Sequence, residues 1–408
     1  MSATFFSSVE LAPRDPILGL NEAFNADPRD PKVNLGVGVY CDDEGRIPLL
    51  QAVREAEKQR IEAAKPRGYL PIEGLAAYDA AVQSLLFGEG SALVKSGRIV
   101  TAQALGGTGA LKIGADFLRR FNPDARVLIS DPSWENHRAL FEGAGFNVAT
   151  YPYYDRDTHG VAFAAMLAAL RSAPPGTIVV LHACCHNPTG VDLTLGQWRQ
   201  VVDVVREARL LPFLDIAYQG FGEGLEADGA AVRLFADAGV TMLVASSFSK
   251  SFSLYGERVG ALSIVASDRD EAARILSQLK RIIRTNYSNP PTHGGTVVAT
   301  VLTTPALRAL WEKELGQMRE RIKSIRKQLA EGLKARGVTR DLSFVTQQRG
   351  MFSYSGLTTA QVERLQKDYG IYAVSSGRIC VAALNSKNID YVCDAVAAVL
   401  TAEERLSV

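Results

Sequence analysis

Short apolar runs recur through the middle of the chain, with helical stretches between them. Residues 98–104, 126–130, 177–182, 212–215, 241–246 and 259–265, several of them rich in Val, Ile and Leu, read as buried strands. The segments 108–121, 134–144, 195–208 and 271–281 carry helical periodicity. Alternating strands and helices predict an α/β fold, a mostly parallel sheet covered by helices on both faces. In such a sheet, ligands sit beyond the carboxyl ends of the strands.

A long charged helical pattern follows over 304–337, through Trp311, Leu315, Met318 and Ile322, and 351–354 and 378–381 read as two further strands. This tail is expected to form a second, smaller α+β domain. Residues 13–46 hold too little apolar sequence for a core of their own and are expected to pack against the tail. The division read from the sequence is an N-terminal arm at 1–12, a large domain at 47–315, and a small domain made of 13–46 plus 316–408.

Composition narrows the range of partners. With 408 residues, 47% of them hydrophobic, and a formal charge of +1, the chain has no global field to draw nucleic acid or an anionic membrane. No apolar run approaches the roughly 18 residues of a membrane span, and Met1 to Arg14 lacks a basic start followed by an apolar core. Five cysteines, an odd and low count, argue against a disulfide framework and for a reducing compartment. The expectation is a cytoplasmic protein whose partners are small molecules or copies of itself.

Several stretches carry chemistry. Ser246-Ser247-Phe248-Ser249-Lys250-Ser251-Phe252 follows an apolar strand and sets a lysine among hydroxyls at the carboxyl end of the sheet. Burial or a neighbouring cation turns such a lysine into an imine former, because only the neutral amine attacks a carbonyl; a surface lysine in a Ser-rich loop fits the same residues. Ser247 and Lys250 also spell the S-x-x-K of penicillin-recognising serine hydrolases, with Tyr287-Ser288-Asn289 in place of their second motif, but no K-T-G triplet occurs. Gly106-Gly107-Thr108-Gly109, between a strand and a helix, forms a phosphate site from unpaired N–H groups and the positive helix end, or a tight turn without ligand. As a dinucleotide fingerprint it fails at Lys112, where the third glycine belongs, although Asp131 lies at a suitable distance. Arg258 adds charge to the same phosphate or stands solvated.

In Leu214-Asp215-Ile216-Ala217-Tyr218 a carboxylate ends an apolar strand, with a phenol three residues on. A pyridinium nitrogen at about 4 Å would repay the buried aspartate by roughly 4 kcal/mol before desolvation; an arginine or a helix N-terminus is the other available partner. His186-Asn187-Pro188-Thr189-Gly190 reads as a turn closing its strand. Strand alternation puts His182, Cys184 and His186 on one face, which invites zinc, but one compact run without a second cluster is a poor metal site. No metal is expected, and the cysteines read as small core residues.

Taken in order, these stretches resemble the class I aspartate and aromatic amino-acid aminotransferases, the fold type I branch of pyridoxal-phosphate enzymes, over nearly the whole chain. Val33-Asn34-Leu35-Gly36-Val37-Gly38-Val39-Tyr40, Asp131-Pro132-Ser133-Trp134, Tyr287-Ser288-Asn289-Pro290-Pro291 and Gly377-Arg378-Ile379 complete the set. The resemblance implies that Lys250 holds pyridoxal 5'-phosphate as a Schiff base and moves the substrate proton. Asp215 would keep the pyridine nitrogen protonated, oriented by His137, while Tyr218 and Asn187 reach the ring oxygen and Trp134 stacks on the ring. Gly107, Thr108, Ser247 and Arg258 would hold the phosphate, joined by Tyr69 from the neighbouring subunit of a homodimer.

Substrate choice, on the same resemblance, rests on two arginines, since a planar guanidinium grips a carboxylate with two parallel hydrogen bonds. Arg378 would take the α-carboxylate with Asn187, Trp134 and the backbone of Gly38, and Arg284 of the other subunit the side-chain carboxylate. Val39, Cys41, Ile47 and Gly68, all uncharged, fall where the family lines the substrate side chain. That implies an enzyme taking tyrosine and phenylalanine as well as aspartate, with 2-oxoglutarate as acceptor and ping-pong kinetics. The alternatives are an aspartate aminotransferase with little aromatic activity, another pyridoxal-phosphate reaction such as decarboxylation or β-elimination, and a non-catalytic phosphate- or nucleotide-binding protein.

Overall fold

The computed structural model describes residues 4–404. The first three residues of the arm expected at 1–12 and the last four of the tail lie outside the described residues. A seven-stranded sheet occupies the centre, built from β1 (Ile99–Leu105), β2 (Val127–Asp131), β3 (Val148–Pro152), β4 (Ile178–His182), β5 (Leu211–Ile216), β6 (Met242–Ser247) and β7 (Val259–Val265). Its order is β1-β7-β6-β5-β4-β2-β3. Five neighbouring strands run parallel, while β7 lies antiparallel to both β1 and β6. The antiparallel return explains why Lys250 and Arg258 come together: β6 ends, the chain winds through one short loop, and β7 starts beside it.

β4, β6 and β7 are buried along almost their whole length, which accounts for their continuous apolar runs in place of alternation. Helices cover both faces. The helix Gly106–Phe121 lies close on the sheet through Gly114, where a Cβ would stand 2.6 Å from the Phe213 ring. Thr194 and Gln197 form a reciprocal capping box that starts the helix Leu195–Glu207, and Asp268 accepts the Glu271 N–H at 2.7 Å to start Arg269–Asn286. The glycine run 106–109 differs from the turn expected of it. It is the first turn of the helix itself, entered at Gly106 with φ +69°.

The charged pattern at 304–337 is one helix, Pro305–Ala335, with Trp311, Leu315, Met318 and Ile322 all buried. Phe352–Tyr354 pairs antiparallel with Arg378–Cys380. The expected packing of the early segment on the tail is present: Val33–Asn34 pairs in parallel with Ile371–Tyr372, and Leu35 donates to the Tyr372 carbonyl. Among the described residues no helix is long and apolar enough to cross a membrane.

Candidate active site

Lys250 owes its position to an apolar knot hidden in a Ser-rich loop. Phe248, Phe252 and Leu254 are buried, and the Phe252 ring stacks on Trp311 with centroids 4.5 Å apart. The Trp311 indole also donates to the Ser251 carbonyl at 2.7 Å. Packing on both sides therefore fixes the backbone around Lys250, whose amine points at a cavity of about 320 Å³ at the carboxyl ends of the parallel strands. Burial pushes the amine down to about 8; Asp215 opposes that shift and the Arg258 charge adds to it. Its Nζ lies 4.9 Å from the centre of the Tyr218 ring.

Asp215, near the end of β5, faces the same cavity. Burial alone would raise its carboxyl. The hydrogen bond from His137, with the nearby positive charge of Lys250, outweighs burial and holds it below the usual carboxylate value. Behind it runs a chain of donors and acceptors. His137 Nε2 lies 2.7 Å from Asp215 Oδ2, Ser133 Oγ 2.8 Å from His137 Nδ1, and His182 Nε2 3.1 Å from Ser133 Oγ. Burial lowers His182, and with His182 neutral each hydroxyl and ring can donate once towards the carboxylate. His186 is held separately, between Ser130 Oγ at 2.9 Å and Thr189 Oγ1 at 2.7 Å.

At the other end of the cavity, Gly107 and Thr108 open the helix Gly106–Phe121 and present its first N–H groups. Gly107 lies against Ser247, where an added Cβ would stand 3.2 Å from the serine Cβ. Arg258 donates to the Tyr255 carbonyl at 2.9 Å from a left-handed backbone with φ +53°. A Cβ on Gly106 would come within 2.6 Å of its Nη2. Arg378 is buried, donates to Gly36 O at 3.0 Å and Asn187 Oδ1 at 3.4 Å, and leaves Nε without a partner. Helix N-terminus, hydroxyl and arginine make an anion cradle. A carboxylate opposite makes a seat for a protonated ring nitrogen, and an amine that loses its proton more readily than an exposed lysine suits a carbonyl. This donor set fits a phosphorylated pyridine aldehyde, with Arg378 left for a second anion.

Of the thirteen residues read from the sequence as a site, the structure gathers eleven around this cavity: Gly38, Gly107, Thr108, Trp134, Asn187, Asp215, Tyr218, Ser247, Lys250, Arg258 and Arg378. Tyr69, 94% exposed, and Arg284, exposed and bonded to Ser288, lie outside the cavity of their own chain. Val39, Cys41, Ile47 and Gly68 also fall outside its lining. Tyr255 and Phe352 line it unanticipated, because an aromatic residue in a loop or short strand carries no signal separating a cavity wall from a core. Asp131 and the 287–289 triplet are absent from it, so neither a dinucleotide acid nor a second hydrolase motif meets Lys250.

The zinc geometry drawn from strand alternation is corrected. β4 ends at His182 and Cys185 has φ +50°, so alternation stops before Cys184 and His186. The thiols of Cys184 and Cys185 come within 4.8 Å of the Asp228 carboxylate, but that carboxylate already accepts the N–H groups of Gly220, Gly222 and Glu223 at 2.8, 2.9 and 2.9 Å.

Comparison with known proteins agrees with this geometry. The family model described as aminotransferase class I and II matches residues 30–396. An aspartate aminotransferase of Pseudomonas aeruginosa is 67% identical over 397 residues, covering 97% of this chain and all of that protein. The aromatic-amino-acid aminotransferase of Escherichia coli is 52% identical over 398 residues, with 97% and 100% covered. A crystal structure of an aromatic-amino-acid aminotransferase from Burkholderia pseudomallei, covalently bound to pyridoxal phosphate, superposes with a TM-score of 0.96 at 71% identity, covering 97% of this chain and 100% of that one. The chain is a member of the class I and II aminotransferase family.

Proposed function

We propose that this aminotransferase uses pyridoxal 5'-phosphate linked to Lys250 to move the amino group of tyrosine, phenylalanine and aspartate to 2-oxoglutarate in a ping-pong cycle. The observation that carries the reading is a buried lysine of lowered pKa sharing one cavity with Asp215, an anion cradle and Arg378, whose Nε is left without a partner. When bound, the cofactor supplies the electron sink for the substrate's α-carbon. Lys250 Nζ is the base for the α-proton. Asp215, ionised and oriented by His137, keeps a proton on the ring nitrogen, and Tyr218 and Asn187 hold the ring oxygen. Trp134 covers the ring face, and Gly107, Thr108, Ser247 and Arg258 hold the phosphate. Arg378 takes the α-carboxylate, with Asn187 and the backbone of Gly38 beside it.

We assign Tyr69 and Arg284 to the site of a second copy in a homodimer. Their exposure supports this, as do the exposed Phe5, Phe6, Leu11, Ile47, Leu49 and Ile61, which a monomer would leave in water. The arm at 1–12, the large domain at 47–315 and the small domain of 13–46 plus 316–408 remain our division of the chain. The five unpaired thiols accord with the cytoplasm, where we place the enzyme.

A second reading, an aspartate aminotransferase with little aromatic activity, is favoured by the name of the relative at 67% identity. Comparing kcat/KM for aspartate, tyrosine and phenylalanine with 2-oxoglutarate, in the parent and in Arg284→Ala, separates the two. Dual specificity predicts all three as substrates, with Arg284→Ala losing aspartate by about 100-fold or more while sparing the aromatic pair. Negligible turnover of tyrosine and phenylalanine by the parent supports the second reading.

A further inference from the structure

Arg326 lies in the helix Pro305–Ala335 and is 1% exposed. Keeping a guanidinium charged in the interior is unfavourable unless its donors are met. Among the described residues this one donates to main-chain carbonyls of a single segment, Val345 at 3.2 Å, Gly350 at 2.7 Å and Phe352 at 2.6 Å, and leaves Nε without a partner. Gly350 belongs to neither helix nor strand, so its carbonyl has no ladder partner of its own and is met by Arg326.

The segment is clamped from the other side by the loop that carries Asn187. Arg349 N donates to Gly190 O at 2.7 Å. A Cβ on Gly190 would stand 2.8 Å from the Phe352 carbonyl oxygen, and one on Gly350 would stand 2.7 Å from Cys185 Cβ. What the clamp holds is the Phe352 ring. The Arg378 guanidinium lies 4.2 Å from its centre, and the ring meets Tyr218 edge-on at 6.0 Å.

We propose that Arg326 is a positioning residue for the substrate carboxylate: by fixing the carbonyls of Gly350 and Phe352 it fixes the ring on which Arg378 rests. The inference rests on the reading of Arg378 as the α-carboxylate grip. A guanidinium free to tilt loses the parallel pair of hydrogen bonds while the chemistry at Lys250 is untouched, so Arg326 acts on substrate affinity and not on the proton transfer.

The test uses the holoenzyme with Arg326→Lys, Phe352→Leu, their combination, and Arg378→Lys. KM for the amino acid, the inhibition constant of succinate, kcat, the pH titration of the cofactor absorbance and the thermal midpoint are measured for each. Arg326→Lys and Phe352→Leu should each raise KM and the succinate constant together by about tenfold, with kcat changed by less than about threefold and the absorbance titration unmoved. The double variant should be no worse than the more impaired single, because both changes act through one ring. An unchanged KM in Phe352→Leu, which leaves Arg326 intact, overturns the proposal, as does an Arg326→Lys that lowers only the thermal midpoint. If Arg378→Lys leaves KM and the succinate constant unchanged, the carboxylate reading itself fails, a result distinct from either of these.

Discussion

Lys250, to which we assign the chemistry, is an amine placed where an amine is unwelcome. Folded, it titrates at about 8 against 10.5 for an unperturbed lysine, so the native state binds fewer protons than the unfolded chain between those values. Its burial therefore destabilises the cofactor-free protein fully below about pH 8, and the penalty fades as pH rises from there towards 10.5. Lys250→Met should stabilise the cofactor-free protein at pH 7 by up to about 3 kcal/mol, with the gain vanishing near pH 10.5; denaturant midpoints at the two pH values check it. In the loaded protein, borohydride should fix the cofactor on Lys250 and nowhere else, as peptide mapping would show. Asp215→Asn keeps the shape but loses the charge that we place opposite the ring nitrogen. Its kcat should fall by about 1000-fold or more while the protein still binds cofactor.

Lys250, Asp215 and Asn187 were legible in the sequence because charged or amide side chains stand out at the ends of apolar strands. Phe352 and Tyr255 were not, since an apolar ring looks the same whether it faces a core or a ligand. Arg326 was hidden for a different reason. In a helix that also carries Arg319, Arg321, Lys323 and Lys327, nothing marks the one basic residue that points inward.

Among the elements, six of the seven strands of the sheet were predictable within a residue or two because they are largely buried and so read as apolar runs; the edge strand Val148–Pro152, with only Tyr151 buried, was not singled out. Helices such as Ala76–Phe87 and Thr292–Thr303 were not singled out. The antiparallel course of β7 was also invisible, because strand direction depends on the length and winding of the loop before it and not on the strand's own residues. That loop is propped by the long helix through Trp311. Trp311→Ala removes a fully buried ring, its stack on Phe252 and its bond to Ser251. It should destabilise the protein by about 3–5 kcal/mol and, in the fraction that folds, broaden the titration of the Lys250 chromophore. Near-parent stability would mean that the loop is held by its own knot alone.

At the scale of the whole molecule, the single chain gathers eleven of its thirteen predicted site residues around one cavity and leaves two exposed with a set of apolar side chains. If Arg284 serves the site of the partner, two variants that each fail to turn over aspartate should complement each other. In a randomised equal mixture of Lys250→Ala and Arg284→Ala, half of the dimers are hybrids, and each hybrid holds one site with both residues intact. Activity towards aspartate should recover to about a quarter of the parent's. No recovery after proven subunit exchange would place Arg284 outside the shared site.

A single half-reaction decides whether the enzyme works by ping-pong transamination through Lys250. Purified yellow enzyme is mixed with tyrosine or aspartate in the absence of any 2-oxo acid, and absorbance, released 2-oxo acid, ammonia and carbon dioxide are followed. One 2-oxo acid per site should appear and turnover should then stop, with the yellow form lost and restored by 2-oxoglutarate. Continued turnover without an acceptor, or release of ammonia or carbon dioxide, would rule out transamination as the reaction.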